Sequence, residues 1–286
     1  LLDSQAPLLP LEQLGFAPDT LKEFERLIRG VNGLLLVTGP ANSGKTTTLY
    51  GALDKLRSPN VKIVTLEDPV EYQLDGVDQA PINPTVGLTF ASGLRAIMRQ
   101  DANIILVGEI RDKETADIAI RAALTGHLVF STLHTRHSCG AVTRLLDMEI
   151  EPHLIIASTT GILAQRLVRL LCPTCKVLDP DSAKAFTRLW TQEAGQAPTL
   201  DLSRLSKAAG CPSCNGTGYQ GRTGIFEILV LTDAFKKLLI EGASAPRYRA
   251  AGASVMRTML LDGLDKAAQG LTTIEEVLRV TGATED

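Results

Sequence analysis

The chain has 286 residues, of which 44% are hydrophobic, enough for one large core and one or two small ones. Aromatic residues make up only 4%, and the net charge is −3, which argue against a base-stacking surface and against a global basic field for nucleic acid. No apolar run approaches the roughly 18 residues that would span a bilayer; the longest, Leu154 to Ala164, is interrupted by Ser158, Thr159 and Thr160.

Residues 1–33 read as an entry segment. No secretory signal opens it, and Leu1-Leu2-Asp3 lacks a methionine, so further residues are expected upstream. Pro10 to Leu14 and Asp19 to Arg29 read as helical, with Leu21, Phe24, Leu27 and Ile28 on one face and Asp19 or Thr20 as the cap. From residue 34 to about 132, short apolar strands alternate with helices. The strands are Leu34–Thr38, Lys62–Leu66, Ile104–Val107 and Leu128–Thr132. The helices include Lys45–Arg57, Phe90–Arg99 and Lys113–Leu124. This alternation predicts crossover connections and an α/β fold, with ligands at the carboxyl ends of the strands.

Between the first strand and its helix lies Gly39-Pro40-Ala41-Asn42-Ser43-Gly44-Lys45-Thr46, followed by Thr47. It fits the G-x-x-x-x-G-K-[ST] phosphate loop in its required strand–loop–helix setting. Its N–H groups would wrap the phosphates of ATP, helped by the positive end of the helix. Lys45 would reach the β- and γ-phosphates, and Thr46 would hold Mg²⁺. Asn42 stands where the backbone is expected to be left-handed, a conformation Asn tolerates.

Two strands end in acids, at Glu67-Asp68-Pro69-Val70-Glu71-Tyr72 and at Gly108-Glu109-Ile110-Arg111-Asp112. Glu67 and Glu109 are therefore candidates for positioning water or binding the metal shell. The bland reading of either is a solvated or ion-paired carboxylate; the nearby loop favours Glu109 more than Glu67. His134, at the carboxyl end of the strand Leu128–Thr132, is a candidate γ-phosphate sensor, whereas His127 at the other end reads as structural.

Residues 137–171 read as mostly helical. Cys172-Pro-Thr-Cys175 and Cys211-Pro-Ser-Cys214 then form two C-x-x-C pairs, while Cys139 stands alone, a profile of a reducing compartment. Cys172, Cys175, Cys211 and Cys214 fit a closed, structural four-thiolate Zn²⁺ site. Their long spacer is expected to hold a helix around Ser182 to Gln192. Helix signals dominate after residue 230, where Thr273 and Glu276 have the spacing of a capping box.

The four boxes Gly39–Thr46, Glu67–Tyr72, Gly108–Asp112 and Thr125–Thr135, taken in order, resemble the Walker A, Asp, Walker B and His boxes of the secretion ATPase superfamily. The nearest resemblance is to the assembly ATPases of type II secretion, the general secretion pathway protein E family. It spans Leu1 to about Gly282. It implies a RecA-like ATPase core, a hexameric ring and a cytoplasmic location at the inner membrane. It also implies inner-membrane platform proteins as partners, and an N-terminal region that contributes arginines to the nucleotide site. The expected division is 1–33 linker, 34–171 ATPase core, 172–225 zinc module and 226–286 helical subdomain. Type II assembly ATPases and pilus extension ATPases carry such a zinc module, while retraction ATPases generally lack it.

Two departures from the family pattern are visible. Asp101-Ala102-Asn103 stands where Asp-Pro-Asp is usual, and Ala41-Asn42 where Thr-Gly is usual; both are expected to bear on rate more than on fold. The leading expectation is an ATPase driving pseudopilus assembly and export. The alternatives are a type IV pilus extension ATPase and, in a different class, a zinc-containing nucleic-acid-binding module with a vestigial nucleotide site.

Overall fold

In the computed structural model, residues 8–282 are described. Seven strands form one sheet. They are β1 (Gly33–Thr38), β2 (Ile63–Glu67), β3 (Asp78–Pro81), β4 (Ile104–Val107), β5 (Leu128–Leu133), β6 (Thr159–Leu171) and β9 (Tyr219–Leu229), in the order β3-β2-β4-β5-β1-β6-β9. The first six are parallel, and β9 closes the edge antiparallel to β6. β7 (Val177–Leu178) and β8 (Ser206–Lys207) form a separate small ribbon.

Every residue of β1, β2, β4 and β5 is buried, so these strands are mostly apolar on both faces, the buried polar residues being Thr38, Thr65, Glu67, Ser131 and Thr132. The pleat divides them between two cores. Leu34, Leu36, Ile105, Val107 and Val129 face one layer; Leu35, Val37, Ile104, Leu106 and Phe130 face the other. The first layer contains α3 (Phe90–Ile97), α4 (Lys113–Leu124), α5 (Ser138–Asp147), α6 (Pro152–Ser158), α8 (Asp233–Ile240) and α9 (Ala245–Ala253). The second contains α1 (Pro18–Ile28) and α2 (Lys45–Leu56). A smaller core joins α7 (Ala183–Ala194), α10 (Met259–Ala268) and α11 (Ile274–Thr281) through Phe186, Leu264, Ile274 and Leu278. The architecture is thus a three-layer α/β fold with a parallel sheet.

Three expectations are corrected. Residues 137–171 are not mostly helical: α5 and α6 are followed by β6, a strand of 13 residues. Thr159 and Thr160 are β-branched, and the gap between β1 and β9 supplies partners on both sides, so tertiary pairing decides the state. α1 has Ala17 as its cap residue with no side-chain cap; Pro18, with its φ already set for a helix, starts the helix ahead of Asp19 and Thr20. The capping box of α11 is half made. Thr273 accepts from Glu276 N at 3.1 Å, but the Glu276 carboxylate turns instead to Arg169 and Arg279. β9 spans residue 225, the expected border between the zinc module and the helical subdomain.

Candidate functional site

The loop after β1 lies at the carboxyl edge of the sheet and leads directly into α2. A Cβ at Gly39 would come within 2.5 Å of Gln165 O and of Ser43 Oγ, so only glycine fits there. Asn42 has φ 61°, the left-handed conformation expected of it, and Gly44, the residue before α2, has φ 86°. Lys45 Nζ folds back over the loop and donates to Gly39 O at 3.0 Å and Pro40 O at 2.9 Å. Burial pushes its ammonium down, opposed by the charges of Glu109 and Glu71. Thr46 and Thr47 lie in the first turn of α2, and Pro40 and Ala41 are exposed.

The loop is braced from both neighbouring strands. Gln165 on β6 is buried and donates from Nε2 to Ser43 O at 2.8 Å. On the other side, Thr135 N donates to Thr38 Oγ1 at 2.9 Å, tying the end of β1 to the segment after β5. That segment carries His134.

Glu109 follows β4 and forms an ion pair with Arg111, which also lies 3.5 Å from Asp68. His134 Nε2 lies 3.5 Å from the second Glu109 oxygen. The Arg111 guanidinium holds the Glu109 carboxyl below the usual carboxylate range, with His134 and Lys45 adding to the effect. Lys45, Glu109 and His134 are therefore gathered on one edge, and Arg111 joins them.

Glu67 is placed differently. It is only 4% exposed. Tyr50 donates its hydroxyl to one carboxylate oxygen; Thr65 Oγ1 at 2.6 Å and Gln79 Nε2 at 3.2 Å donate to the other. Burial and this carboxylate push the Tyr50 hydroxyl up. Glu67 thus acts within the fold as the acceptor that joins α2, β2 and β3. Glu71, four residues on, is the acid of this motif whose charge reaches Lys45, after that of Glu109, and sequence reasoning passed over it. No periodicity marks a loop residue of this kind; only the path of the chain after β2 reveals it.

His127 lies at the opposite end of β5, with Nδ1 3.0 Å from Ala122 O, as a structural residue would. Asn103 also lies at that far edge, where its Oδ1 accepts from Lys62 N at 2.7 Å, while Ala102 is buried. The Asp101-Ala102-Asn103 departure is therefore across the sheet from the loop and touches folding contacts.

The sulfurs of Cys172, Cys175, Cys211 and Cys214 all lie within 4.8 Å of one another, with three of the separations 3.7 to 3.9 Å. A tetrahedral Zn²⁺ with bonds of about 2.3 Å needs sulfurs about 3.8 Å apart. Cys211 N and Gly218 N point at Cys214 Sγ, at 3.2 and 3.1 Å, and would support a thiolate there. The donor set fits zinc.

A family model described as "Type II/IV secretion system protein" matches residues 1–279. The type II secretion system ATPase E of Vibrio cholerae serotype O1 is 50% identical over 281 residues, covering 98% of this chain and 55% of that protein. The type IV pilus assembly ATPase PilB of Thermus thermophilus is 46% identical over 98% of this chain and 31% of its own length. The crystal structure of the pilus retraction motor PilT with bound ADP superposes with a TM-score of 0.70 at 27% identity, covering 96% of this chain and 67% of that one. The chain spans about half the length of the type II relatives it matches.

Proposed function

The chain belongs to the type II/IV secretion system protein family, and on that premise we propose that it is the ATP-hydrolysing part of a type II secretion motor, coupling turnover to pseudopilus assembly and protein export. The observation that carries this reading is the meeting of Lys45, Glu109, Arg111 and His134 at one sheet edge beside the phosphate loop. Lys45 leaves its two loop carbonyls for the β- and γ-phosphates and offsets charge on the transferring group. Glu109 orients or activates the attacking water, and His134 reports on the γ-phosphate. Thr46 is the residue that would hold Mg²⁺, which supplies further charge neutralisation. Glu67 contributes by holding the frame rather than by touching substrate.

The four cysteines would bind one Zn²⁺ in a structural site, since no ligand position is left open. We read residues 1–33, 34–171, 172–225 and 226–286 as linker, ATPase core, zinc module and helical subdomain. The working assembly is a hexameric ring, peripheral on the cytoplasmic face of the inner membrane and docked on inner-membrane platform proteins, without nucleic acid. The 46% identity to a pilus assembly ATPase supports pilus extension as the second reading; complementation of secretion against piliation separates the two.

The test is ATP hydrolysis over a concentration series, by this chain and by a version extended to the full length of its relatives. The Lys45→Ala chain should be folded and inactive. The extended protein should turn over faster, and more than linearly with concentration, because an added arginine at such a site contributes about 10³–10⁵ in rate. Near wild-type turnover by Lys45→Ala would remove the phosphate-loop reading. Equal, concentration-independent rates would remove the argument for a subunit-completed site.

A further inference from the structure

A polar cavity of about 540 Å³ lies between the start of α5, β6, β9, α9 and α10. Three arginines line it from three separate elements: Arg136 just before α5, Arg166 on β6 and Arg249 on α9. Among the described residues, none of the three forms an ion pair. Arg166 Nη2 donates to Arg136 O at 3.2 Å, but its Nε is buried with no partner.

Two carboxylates line the same cavity, Glu193 and Glu227. Glu227 is already engaged: it accepts from Ser138 N at 2.7 Å, Ser138 Oγ at 2.9 Å and Met259 N at 3.1 Å. His137 adds little positive charge of its own. Its Nδ1 accepts from Gly140 N at 3.0 Å, and burial holds the ring below its ordinary pKa. Arg279 lies on the rim, but it is committed to Glu276 at 2.7 Å. A chain of net charge −3 thus places three guanidinium groups without an ion pair in one hollow, where they outnumber the carboxylates Glu193 and Glu227.

We propose that this cavity is a binding site for a small phosphate-bearing anion, separate from the phosphate loop. Guanidinium groups match phosphate oxygens in fork geometry, and three of them lining one cavity suit a dianion better than a single carboxylate. The site is concave, which favours a small ligand over a flat macromolecular surface. A bound anion would grip the residues next to two parts of the nucleotide site. Arg136 lies two residues beyond His134, and Arg166 is the neighbour of Gln165, which braces Ser43.

The probe is inorganic pyrophosphate, titrated calorimetrically at fixed ionic strength into the full chain carrying Lys45→Ala, so that the loop's contribution is reduced. One saturable site should remain. Arg166→Gln and Arg249→Gln, each added to Lys45→Ala, should weaken binding about tenfold or more, the loss expected of one charge-assisted contact. Arg249 is exposed, so its variant guards against a loss that merely reflects misfolding. Arg29→Gln, at an exposed position on the end of α1, should leave binding unchanged. The proposal is overturned if the Lys45→Ala chain shows no saturable binding. It is equally overturned if the Arg166 and Arg249 variants bind as their parent does, or if Arg29→Gln weakens binding as much as they do.

Discussion

At the phosphate loop, the functional side chains stand at the ends of fully buried parallel strands, between two large cores. The four thiols stand on turns that flank a two-stranded ribbon and a small core of α7, α10 and α11. The first region gets its geometry from the fold. There the reactive groups are partnered with one another and are free to exchange partners: Lys45 with loop carbonyls, and Glu109 with Arg111 and His134. In the second, the sulfurs are close together beside a core much smaller than the other two, so metal binding and local folding are expected to be one process. The comparison leads to the expectation that the first region keeps its structure when a candidate catalytic group is lost, while the second loses its own with a candidate ligand.

The largest effect should separate two carboxylates of the first region. Glu109→Gln should slow hydrolysis at least about a hundredfold with little change in thermal midpoint, because it removes charge at a partly open position. Glu67→Gln should show the reverse balance, losing about 1–3 kcal/mol of stability, because an amide would face donors from Tyr50, Thr65 and Gln79. Paired assays and melts on the two variants would break the contrast if Glu67→Gln melted like wild type.

In the second region, metal analysis should give one zinc per chain. Removing it by chelation, or by Cys211→Ser, should raise hydrogen exchange in residues 172–222 first while the sheet stays protected. Uniform exchange across the chain after zinc loss would erase the distinction between the regions.

The smallest effect concerns the seam between them. Glu276 is buried; burial alone would raise its pKa, but Arg279 and Arg169 bring it down to about 2. A depressed carboxyl contributes stability above its unfolded value, near 4.5, and loses it as pH falls toward 2. The arginines remain about half in water, so the contribution should be about 1–2 kcal/mol. Glu276→Gln should lower the melting temperature at pH 7 and flatten its fall between pH 4.5 and 2. An unchanged acid profile would show that the seam does not depend on this charge.

Much of the core sheet was legible because β1, β4 and β5 are short, mostly apolar runs separated by strong helix signals. The loop was legible because its glycines and its lysine sit at fixed offsets. β3, Asp78–Pro81, was missed because an exposed edge strand ending in proline carries no apolar pattern. β6 was misread because its apolar content suits either a helix or a buried strand, and its neighbours decide between them. Glu67 was legible as an acid at a strand end, but its burial under three donors depends on Tyr50 and Gln79, 17 and 12 positions away on other elements, as well as on Thr65 beside it on the same face of β2. Arg111 was visible within its motif, yet its bond to Glu109 is a matter of side-chain direction.

The length of β6 has a consequence for how such chains can vary. Between Gln165, which braces the loop, and Cys172, the first thiol, the strand fixes which face each residue meets. Deleting one residue there would exchange inside for outside along the remainder of the strand. Arg169 would lose its place against Glu276, and the first thiol would point away from the other three. The 35 residues between Cys175 and Cys211 are held through α7 and the β7–β8 ribbon, but the turns that join these pieces can take up changes in length. Natural or engineered changes in length should therefore accumulate in that spacer, while the segment from Gln165 to Cys172 keeps a constant count.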